Sequence, residues 1–217
     1  MEGDKFSGFI VERDTEGLTV GSEEEKMGMK GSSTTSLKFT DAKVPVENLI
    51  GTENQGWTYA KFLLAHERSG IAGVARSKKA IERIKQIAAS EMSYGEPLIQ
   101  DPAFIRKIAD AELELTALEY TELRTLAKDS AGKGPGAESS ILKIKGTDLQ
   151  QRVTELAMEA VGYYANPHIG TSLSNEFVGP DYATNLSGTY FNFRKASIYG
   201  GSNEIQRNII AKMVLGL

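Results

Sequence analysis

The sequence predicts a mainly α-helical protein in which an up-down antiparallel bundle of the four-helix type follows a partial β domain. Short apolar stretches separated by turn residues fill residues 6–50, a pattern typical of strands. From residue 57 onward, apolar residues recur every three or four positions over long segments, which is typical of amphipathic helices. Long helices with short connections pack antiparallel. We therefore predict a partial β domain over residues 1–54 and a helical bundle over residues 55–217.

The composition of the 217 residues is that of an ordinary soluble protein, with 40% hydrophobic and 25% charged positions. Its net charge of -4 argues against partners such as nucleic acid or an anionic membrane surface. There is no cysteine, and His66 and His168 are the only histidines, so neither a disulfide nor a metal site is expected. The amino terminus is polar and no apolar run approaches the roughly 18 to 20 residues of a membrane span, so we expect a cytoplasmic protein.

Apolar stretches in the first 50 residues predict four short strands. This is too little sheet to be stable alone, because short strands with open edges need further strands or another layer to cover them. We therefore expect the chain to begin partway through a β domain. The predicted strands are Phe9-Ile10-Val11, Leu18-Thr19-Val20, Leu37-Lys38-Phe39 and Val44-Pro45-Val46.

Two long helices are predicted next. The first runs from residue 57 to about residue 90, and the turn at residues 93–97 ends it. The second begins at Asp101 and Pro102, because aspartate is a good N-cap and proline suits the first helical position, and it ends near residue 130. The apolar stripe of the first helix comprises Leu63, Ile71, Val74, Ala80, Ile81, Ile84 and Ile87.

Residues 132–136, Gly-Lys-Gly-Pro-Gly, predict a loop between helices. A phosphate-binding loop is the alternative, but the strand-to-helix spacing of a P-loop is missing.

A third helix is predicted over residues 137–161 and ends at Gly162. A long loop over residues 162–188, a short helix near residues 189–197 and a last helix capped by Ser202 follow. The third helix has the apolar stripe Ile141, Ile144, Leu149, Val153, Leu156 and Ala160, and the last has Ile205, Ile209, Ile210 and Val214.

Glu67 is the first candidate functional residue. It lies four positions after Leu63 and four before Ile71, which places a carboxylate on an apolar helix face. Burial there would raise its pKa and make it a base that works near neutral pH. The alternative is a structural ion pair with Arg68 or with a neighbouring helix.

A glycine turn before the last helix is the second candidate. Gly200 and Gly201 permit backbone conformations that other residues resist, and Ser202 opens a helix whose amides face outward. Such a turn can approach a phosphate or a flavin closely. The alternative is a simple connection between helices with a serine cap.

Residues 193–207 read Phe-Arg-Lys-Ala-Ser-Ile-Tyr-Gly-Gly-Ser-Asn-Glu-Ile-Gln-Arg and closely resemble the carboxyl-terminal signature of acyl-CoA dehydrogenases. Residues 9–18, 27–32, 39–45 and 51–57 resemble the part of that family in which the middle β domain leads into the helical bundle. The resemblance covers essentially the whole chain. It also implies that an amino-terminal helical domain and the first half of the β domain are not part of this sequence.

The resemblance implies a FAD-dependent α,β-dehydrogenation of an acyl-CoA thioester to a trans-2-enoyl-CoA, as in fatty acid β-oxidation. Many members carry the catalytic glutamate directly after the signature tyrosine, where this chain has Gly200. Another branch carries it on the first bundle helix, at the position of Glu67. By the same resemblance, Arg68 and Tyr199 contact the substrate together with Gly200 and Gly201. The two residues that the resemblance assigns to FAD are Ser202 and Glu204.

An electron-transfer flavoprotein-type acceptor and a homo- or hetero-oligomer, a dimer or tetramer, are further implications of the resemblance. Two departures suggest a heteromer. Glu91 stands where relatives have an arginine that reaches the FAD pyrophosphate of a neighbouring subunit, and residues 156–162 lack the expected Gln and Gly-Gly pattern. The alternatives to a dehydrogenase subunit are a catalytically silent assembly module and an acyl-CoA oxidase.

Overall fold

The computed structural model describes residues 5–26, 32–134, 136–167 and 179–217, and of residues 65–69 it describes the backbone alone. Most of the resembling segment at residues 27–32, Pro135 of the predicted loop and His168 lie outside the described residues. So does the middle of the predicted long loop. Contacts divide the chain into two compact units, Met1–Ala65 and His66–Leu217. The domain boundary after residue 54 stays a prediction.

The first unit contains two antiparallel ribbons of two strands each. Strand β1 (Gly8–Phe9) pairs with β4 (Leu49–Ile50), and β2 (Leu18–Glu23) pairs with β3 (Thr35–Phe39). The predicted strand Val44-Pro45-Val46 is wrong. Pro45 has no N–H to donate to a ladder, and the chain instead forms a 3-10 turn at Val46–Asn48 before β4.

Six α-helices lie within the described residues. The predicted single helix over residues 57–90 is wrong, because the chain breaks at Ala72 and Gly73, where Gly73 has a left-handed φ of 64°. The apolar spacing continues across this break and hides it. The helices are α1 (Gly56–Ile71), α2 (Val74–Ser90), α3 (Pro102–Ser130), α4 (Glu138–Val161), α5 (Leu186–Phe193) and α6 (Asn203–Ile210).

Local capping signals set several boundaries correctly. A hairpin of β5 (Met92–Ser93) and β6 (Glu96–Pro97) follows α2. Asp101 caps α3 as predicted, since its Oδ1 accepts a hydrogen bond from the Ala103 amide at 2.7 Å. Helix α4 ends at Gly162, again as predicted. The short helix lies a few residues earlier than predicted, as α5 and then a 3-10 turn at Arg194–Ser197.

Ion pairs show that α2, α3 and α4 run antiparallel to one another. Lys78 of α2 pairs with Glu119 of α3 and Lys85 of α2 pairs with Glu112 of α3, so residue numbers increase along α2 while they decrease along α3. Lys107 and Lys128 of α3 pair in the same reversed order with Glu159 and Glu138 of α4. The predicted up-down bundle is therefore confirmed.

Helix α4 lies at the centre of the second unit, where it packs against α2, α3, α5 and α6. Its apolar residues join those of α2 and α3 in one core, and burial of this surface is the main force that stabilises the bundle. Among the described residues, no helix combines the length and the apolar character needed to cross a lipid bilayer. The core includes Ile81, Ile84, Ile87, Phe104, Ile108, Leu115, Leu142, Leu149, Val153 and Leu156.

Four residues of the predicted apolar stripes are exposed. They are Leu63 of α1 (68%), Ile141 of α4 (41%), Ile205 of α6 (52%) and Val214 (63%), which follows α6. The buried residues of α6 are instead Asn203 and Gln206. The last helix thus turns a polar face inward, which the apolar spacing did not predict.

Candidate active site

The glycine turn at residues 199–202, which we term the closing turn, leads directly into α6. Gly200 and Gly201 have φ values of 65° and 84°, a region that side-chain-bearing residues rarely adopt. Ser202 is the N-cap, because its Oγ accepts from the Ile205 amide at 3.5 Å. The predicted cap is confirmed. Tyr199 is partly exposed at the start of the turn.

Glu204 follows in the first turn of α6 and is exposed. Its own backbone amide and the Ser202 hydroxyl hydrogen-bond the carboxylate and hold the pKa of Glu204 below its usual value. The nearby cations Arg207 and Lys143 act in the same direction. The structure therefore places a stable negative charge beside Ser202.

The end of α1 packs against the closing turn. A Cβ atom built on Gly200 would lie 2.5 Å from Cδ1 of Ile71, which leaves little space for a side chain at this position. Glu67 precedes Ile71 by four residues, one turn of the same helix. Glu67 therefore lies in the second-last helical turn of α1, and the last helical turn, through Ile71, contacts Gly200. The side chains of Glu67 and Arg68 lie outside the described part of the chain.

Lys143 of α4 lies beneath the closing turn and is 0% exposed. Its Nζ donates to Oδ1 of Asn203 at 2.9 Å and to the carbonyl oxygen of Ser197 at 3.1 Å. Burial lowers the pKa of Lys143, and the negative charges of Asp148 and Glu204 act against that change. The sequence reasoning did not identify this lysine as a functional candidate.

Asn203 and Gln206 fasten α6 to α4. Besides Lys143, Asn203 contacts Asp148, to whose Oδ1 its Nδ2 donates at 3.1 Å. Gln206 accepts from Oγ of Ser140 at 2.9 Å and donates from Nε2 to the carbonyl oxygen of Gly201 at 3.4 Å. The inward polar face of α6 is thus satisfied by a polar stripe on α4.

The same stripe of α4 holds the end of α1. Gln150 donates from Nε2 to the carbonyl oxygens of Ile71 and Ala72, at 2.9 and 3.2 Å. Gly146 lets the backbones approach closely, because a Cβ there would lie 2.5 Å from Cα of Ala72. One helix face therefore positions both α1 and the closing turn. Its signal in the sequence is a run of polar residues at helical spacing, Ser140, Lys143, Thr147 and Gln150, which ordinarily indicates a solvent-facing side.

Glu91, the acidic departure from the family pattern, lies at the end of α2 and binds Tyr182. The Tyr182 hydroxyl donates to Oε1 of Glu91 at 2.7 Å, and the guanidinium of Arg83 lies 5.8 Å from the centre of the tyrosine ring. The hydrogen bond to Glu91 is the main cause that raises the pKa of Tyr182 to about 12. Glu91 therefore has a structural partner within its own chain.

Comparisons with known proteins identify the family to which this chain is similar. The family model "Acyl-CoA dehydrogenase, C-terminal domain" matches residues 54–215. An acyl-CoA dehydrogenase of Bacillus subtilis is 32% identical over 97% of this chain and 52% of its own length. The structure of butyryl-CoA dehydrogenase from Megasphaera elsdenii matches 97% of this chain and 52% of its own with a TM-score of 0.81 at 26% identity.

A third similar protein is the acyl-CoA dehydrogenase from Geobacillus kaustophilus, with a TM-score of 0.83 and 28% identity over 97% of this chain and 52% of that chain. The chain thus spans about half the length of the curated relatives it matches. The helical-bundle fold class agrees with these structural neighbours.

Proposed function

The chain belongs to the acyl-CoA dehydrogenase family, and from that premise we propose that it catalyses, within its complete protein, the α,β-dehydrogenation of an acyl-CoA thioester to a trans-2-enoyl-CoA. The site residues near its closing turn support this assignment. In the reaction a base removes a proton from the α carbon, and a hydride leaves the β carbon.

Glu67 is the proposed base. The observation that supports this assignment is the contact between Gly200 and Ile71, since it brings the end of α1, one helical turn from Glu67, against the closing turn. Gly200 itself has no side chain that could accept a proton. A glutamate one helical turn before Ile71 is the nearest carboxylate that α1 can supply, because Glu67 is the only acidic residue in that helix.

The remaining site residues have proposed binding roles. Arg68 follows Glu67 and supplies a fixed positive charge for the CoA moiety, because arginine stays protonated. Tyr199, partly exposed at the start of the closing turn, lines the acyl pocket. Gly200 and Gly201 present bare backbone to the thioester, since neither has a side chain that would block its approach.

FAD is the proposed cofactor, and the closing turn fits one edge of its site. Among the described residues, none bonds the backbone amides of Gly200, Gly201 and Ser202, so these three donors remain available to ring oxygens or nitrogens. Ser202 adds a hydroxyl and Glu204 an acceptor on the same side. When bound, FAD supplies the acceptor for the departing hydride.

Oligomeric assembly and an acceptor of the electron-transfer flavoprotein type complete the proposal. Exposed apolar side chains at the carboxyl terminus support assembly, because such clusters mark protein interfaces. They include Ile205, Met213, Val214, Leu215 and Leu217. A cytoplasmic location remains the expectation from the sequence.

The test is an anaerobic titration of the purified, FAD-loaded protein, with any co-purifying subunit, against butyryl-CoA and longer acyl-CoA thioesters. We expect the flavin absorbance to bleach in the wild type. In Glu67→Gln the rate constant of bleaching should fall by about 10²- to 10⁴-fold, the usual contribution of a general base. FAD content should stay the same, because the amide keeps the size of the carboxylate.

Glu82→Gln provides the matched control, since Glu82 is an exposed carboxylate on the next helix. It should bleach at the wild-type rate. A protein that takes up no FAD, or that is not bleached by any thioester, would falsify the proposed activity. If Glu67→Gln is bleached at the wild-type rate, the proposed activity stands but Glu67 is not its base. Oxygen consumption without another electron acceptor would identify an oxidase.

A further inference from the structure

A buried lysine holds together the two ends of the closing turn. Ser197 lies two residues before Tyr199, and Asn203 directly follows Ser202, so the two acceptors of Lys143 flank the turn on both sides. A single ammonium group therefore bridges the entry and the exit of the segment that carries the proposed binding residues.

The site of Lys143 is unusual for a charged side chain. Lysine is almost never fully buried unless it is paired, because removal of the ammonium from water is unfavourable. Here the partners are one neutral amide oxygen and one backbone carbonyl, with Asp148 and Glu204 as the nearby negative charges. An apolar residue in this position would leave Ser197 and Asn203 without their donor.

Asn203, the first residue of α6, links Lys143 to that helix. Its amide group is held from three directions, by Lys143, by Asp148 and by Oγ1 of Thr147, which lies 3.4 Å from Oδ1. All three partners belong to α4, which also holds the end of α1 through Gln150. The closing turn and the end of α1, the helix of Glu67, are therefore both held by side chains of α4.

We propose that Lys143 is a positioning residue for the reaction: through Asn203 and the Ser197 carbonyl it fixes the closing turn relative to the helix that carries Glu67. This inference rests on the proposed function for its catalytic meaning. Lys143 acts through the turn and does not itself touch the substrate. Its removal loosens residues 198–206 while the α2–α3 core remains intact.

Hydrogen exchange of the full chain, without FAD or thioester, tests the structural half of this proposal. In Lys143→Met we expect about tenfold faster exchange at the amides of Tyr199, Ile205 and Gln206, the change that corresponds to the net loss of about one hydrogen bond. Amides in the core of α3 should exchange at the wild-type rate. Lys145→Met is the matched control, because Lys145 is exposed two residues away on the same helix.

A second variant keeps the test decisive if Lys143→Met folds poorly. Asn203→Ala cuts the same link from the other end, so it should produce the same local exchange pattern. Combined with Lys143→Met, it should add less than twofold, since the two side chains act as one unit. Equal acceleration throughout the bundle, or no acceleration in residues 198–206, would overturn the proposal.

The catalytic half is read from steady-state kinetics and flavin affinity of the loaded protein. Lys143→Met should lower kcat by about tenfold or more and raise the Kd for FAD, because misplacement of a reacting group weakens catalysis steeply. A wild-type protein without activity refutes the proposed function but leaves the exchange result interpretable. Normal kcat and Kd in a variant whose closing turn is loosened would overturn the positioning role alone.

Discussion

Gln150 donates from Nε2 to the carbonyl oxygen of Ile71 at 2.9 Å, and this bond joins the centre of α4 to the end of α1. The same nitrogen lies 3.2 Å from the carbonyl oxygen of Ala72. These carbonyls lie where α1 ends, so they lack partners within that helix. A buried side chain thus completes a helix end that local sequence does not cap.

Gln150→Leu should therefore destabilise the bundle. The leucine fills a similar volume but leaves the carbonyls of Ile71 and Ala72 without their donor, at a cost of about 1 to 3 kcal/mol in the free energy of unfolding. Urea denaturation measures the change. Gln151→Leu is the control on the same helix and should alter the free energy by less than about 0.5 kcal/mol. Equal losses in the two variants would contradict the capping role of Gln150.

Gly73→Ala tests the break between α1 and α2. Gly73 has a φ of 64°, and a Cβ there would lie 2.9 Å from Nε2 of Gln150. Alanine must then adopt a left-handed backbone and displace the capping side chain, so we expect a loss of about 1 to 3 kcal/mol. Thermal and urea denaturation provide the measurement.

The control for this substitution is Gly70→Ala, three residues earlier in α1. A Cβ on Gly70 would meet no atom within 4 Å, so alanine should be neutral or stabilise the protein by up to about 1 kcal/mol. Stabilisation by Gly73→Ala would show that α1 and α2 can form one continuous helix, as the sequence alone suggested.

The sequence predicted those elements whose signals are local. Asp101 and Pro102 mark the start of α3, Gly162 marks the end of α4, and Ser202 marks the start of α6, because each acts on backbone groups within a few residues. The alternation of apolar residues likewise predicted β2 and β3. The structural role of a residue that acts only on its neighbours in the chain can be predicted from the sequence, without knowledge of the fold.

Features that depend on distant partners were missed. The helix end before Gly73 is capped by Gln150, which lies 78 positions from Ala72 in the chain. The inward face of α6 is polar because Ser140 and Lys143 of α4 supply its partners, so apolar spacing selected Ile205, which is exposed. For the site, local sequence identified the closing turn but gave no indication of the lysine that holds it.

Gly146→Ala should separate α4 from the junction of α1 and α2. A Cβ on Gly146 would lie 2.5 Å from Cα and 2.6 Å from the carbonyl oxygen of Ala72, and these backbone atoms cannot rotate away. We expect a loss of about 1 to 3 kcal/mol in the free energy of unfolding, typical of overpacking. The rate of flavin bleaching by acyl-CoA should fall as well, because Ile71 contacts Gly200 of the proposed site.

Gly188→Ala is the matched control for Gly146→Ala. Gly188 lies within α5, and a Cβ there would meet no atom within 4 Å. Alanine should therefore leave stability unchanged or raise it by up to about 1 kcal/mol. A Gly146→Ala protein as stable and as active as Gly188→Ala would show that the α4 backbone can move away freely.

Tyr182 should make the stability of the bundle depend on alkaline pH. Its pKa is raised from 10.0 to about 12, because its hydroxyl donates to the Glu91 carboxylate. Between these two values the folded state binds more protons than the unfolded state, so stability falls as pH rises. The contribution of Tyr182 is fully present below pH 10 and is lost as pH approaches 12.

Tyr182→Phe removes this contribution, so it should lower the free energy of unfolding by about 1 kcal/mol at pH 8, the magnitude of a partly exposed hydrogen bond. Urea denaturation from pH 8 to pH 11 should show the difference from the wild type narrowing above pH 10. Glu91→Gln should remove the same pH dependence, because the amide carries no charge to oppose the phenolate. Tyr163→Phe, at an exposed tyrosine, should retain the wild-type profile, and a constant difference between wild type and Tyr182→Phe at every pH would contradict the coupling.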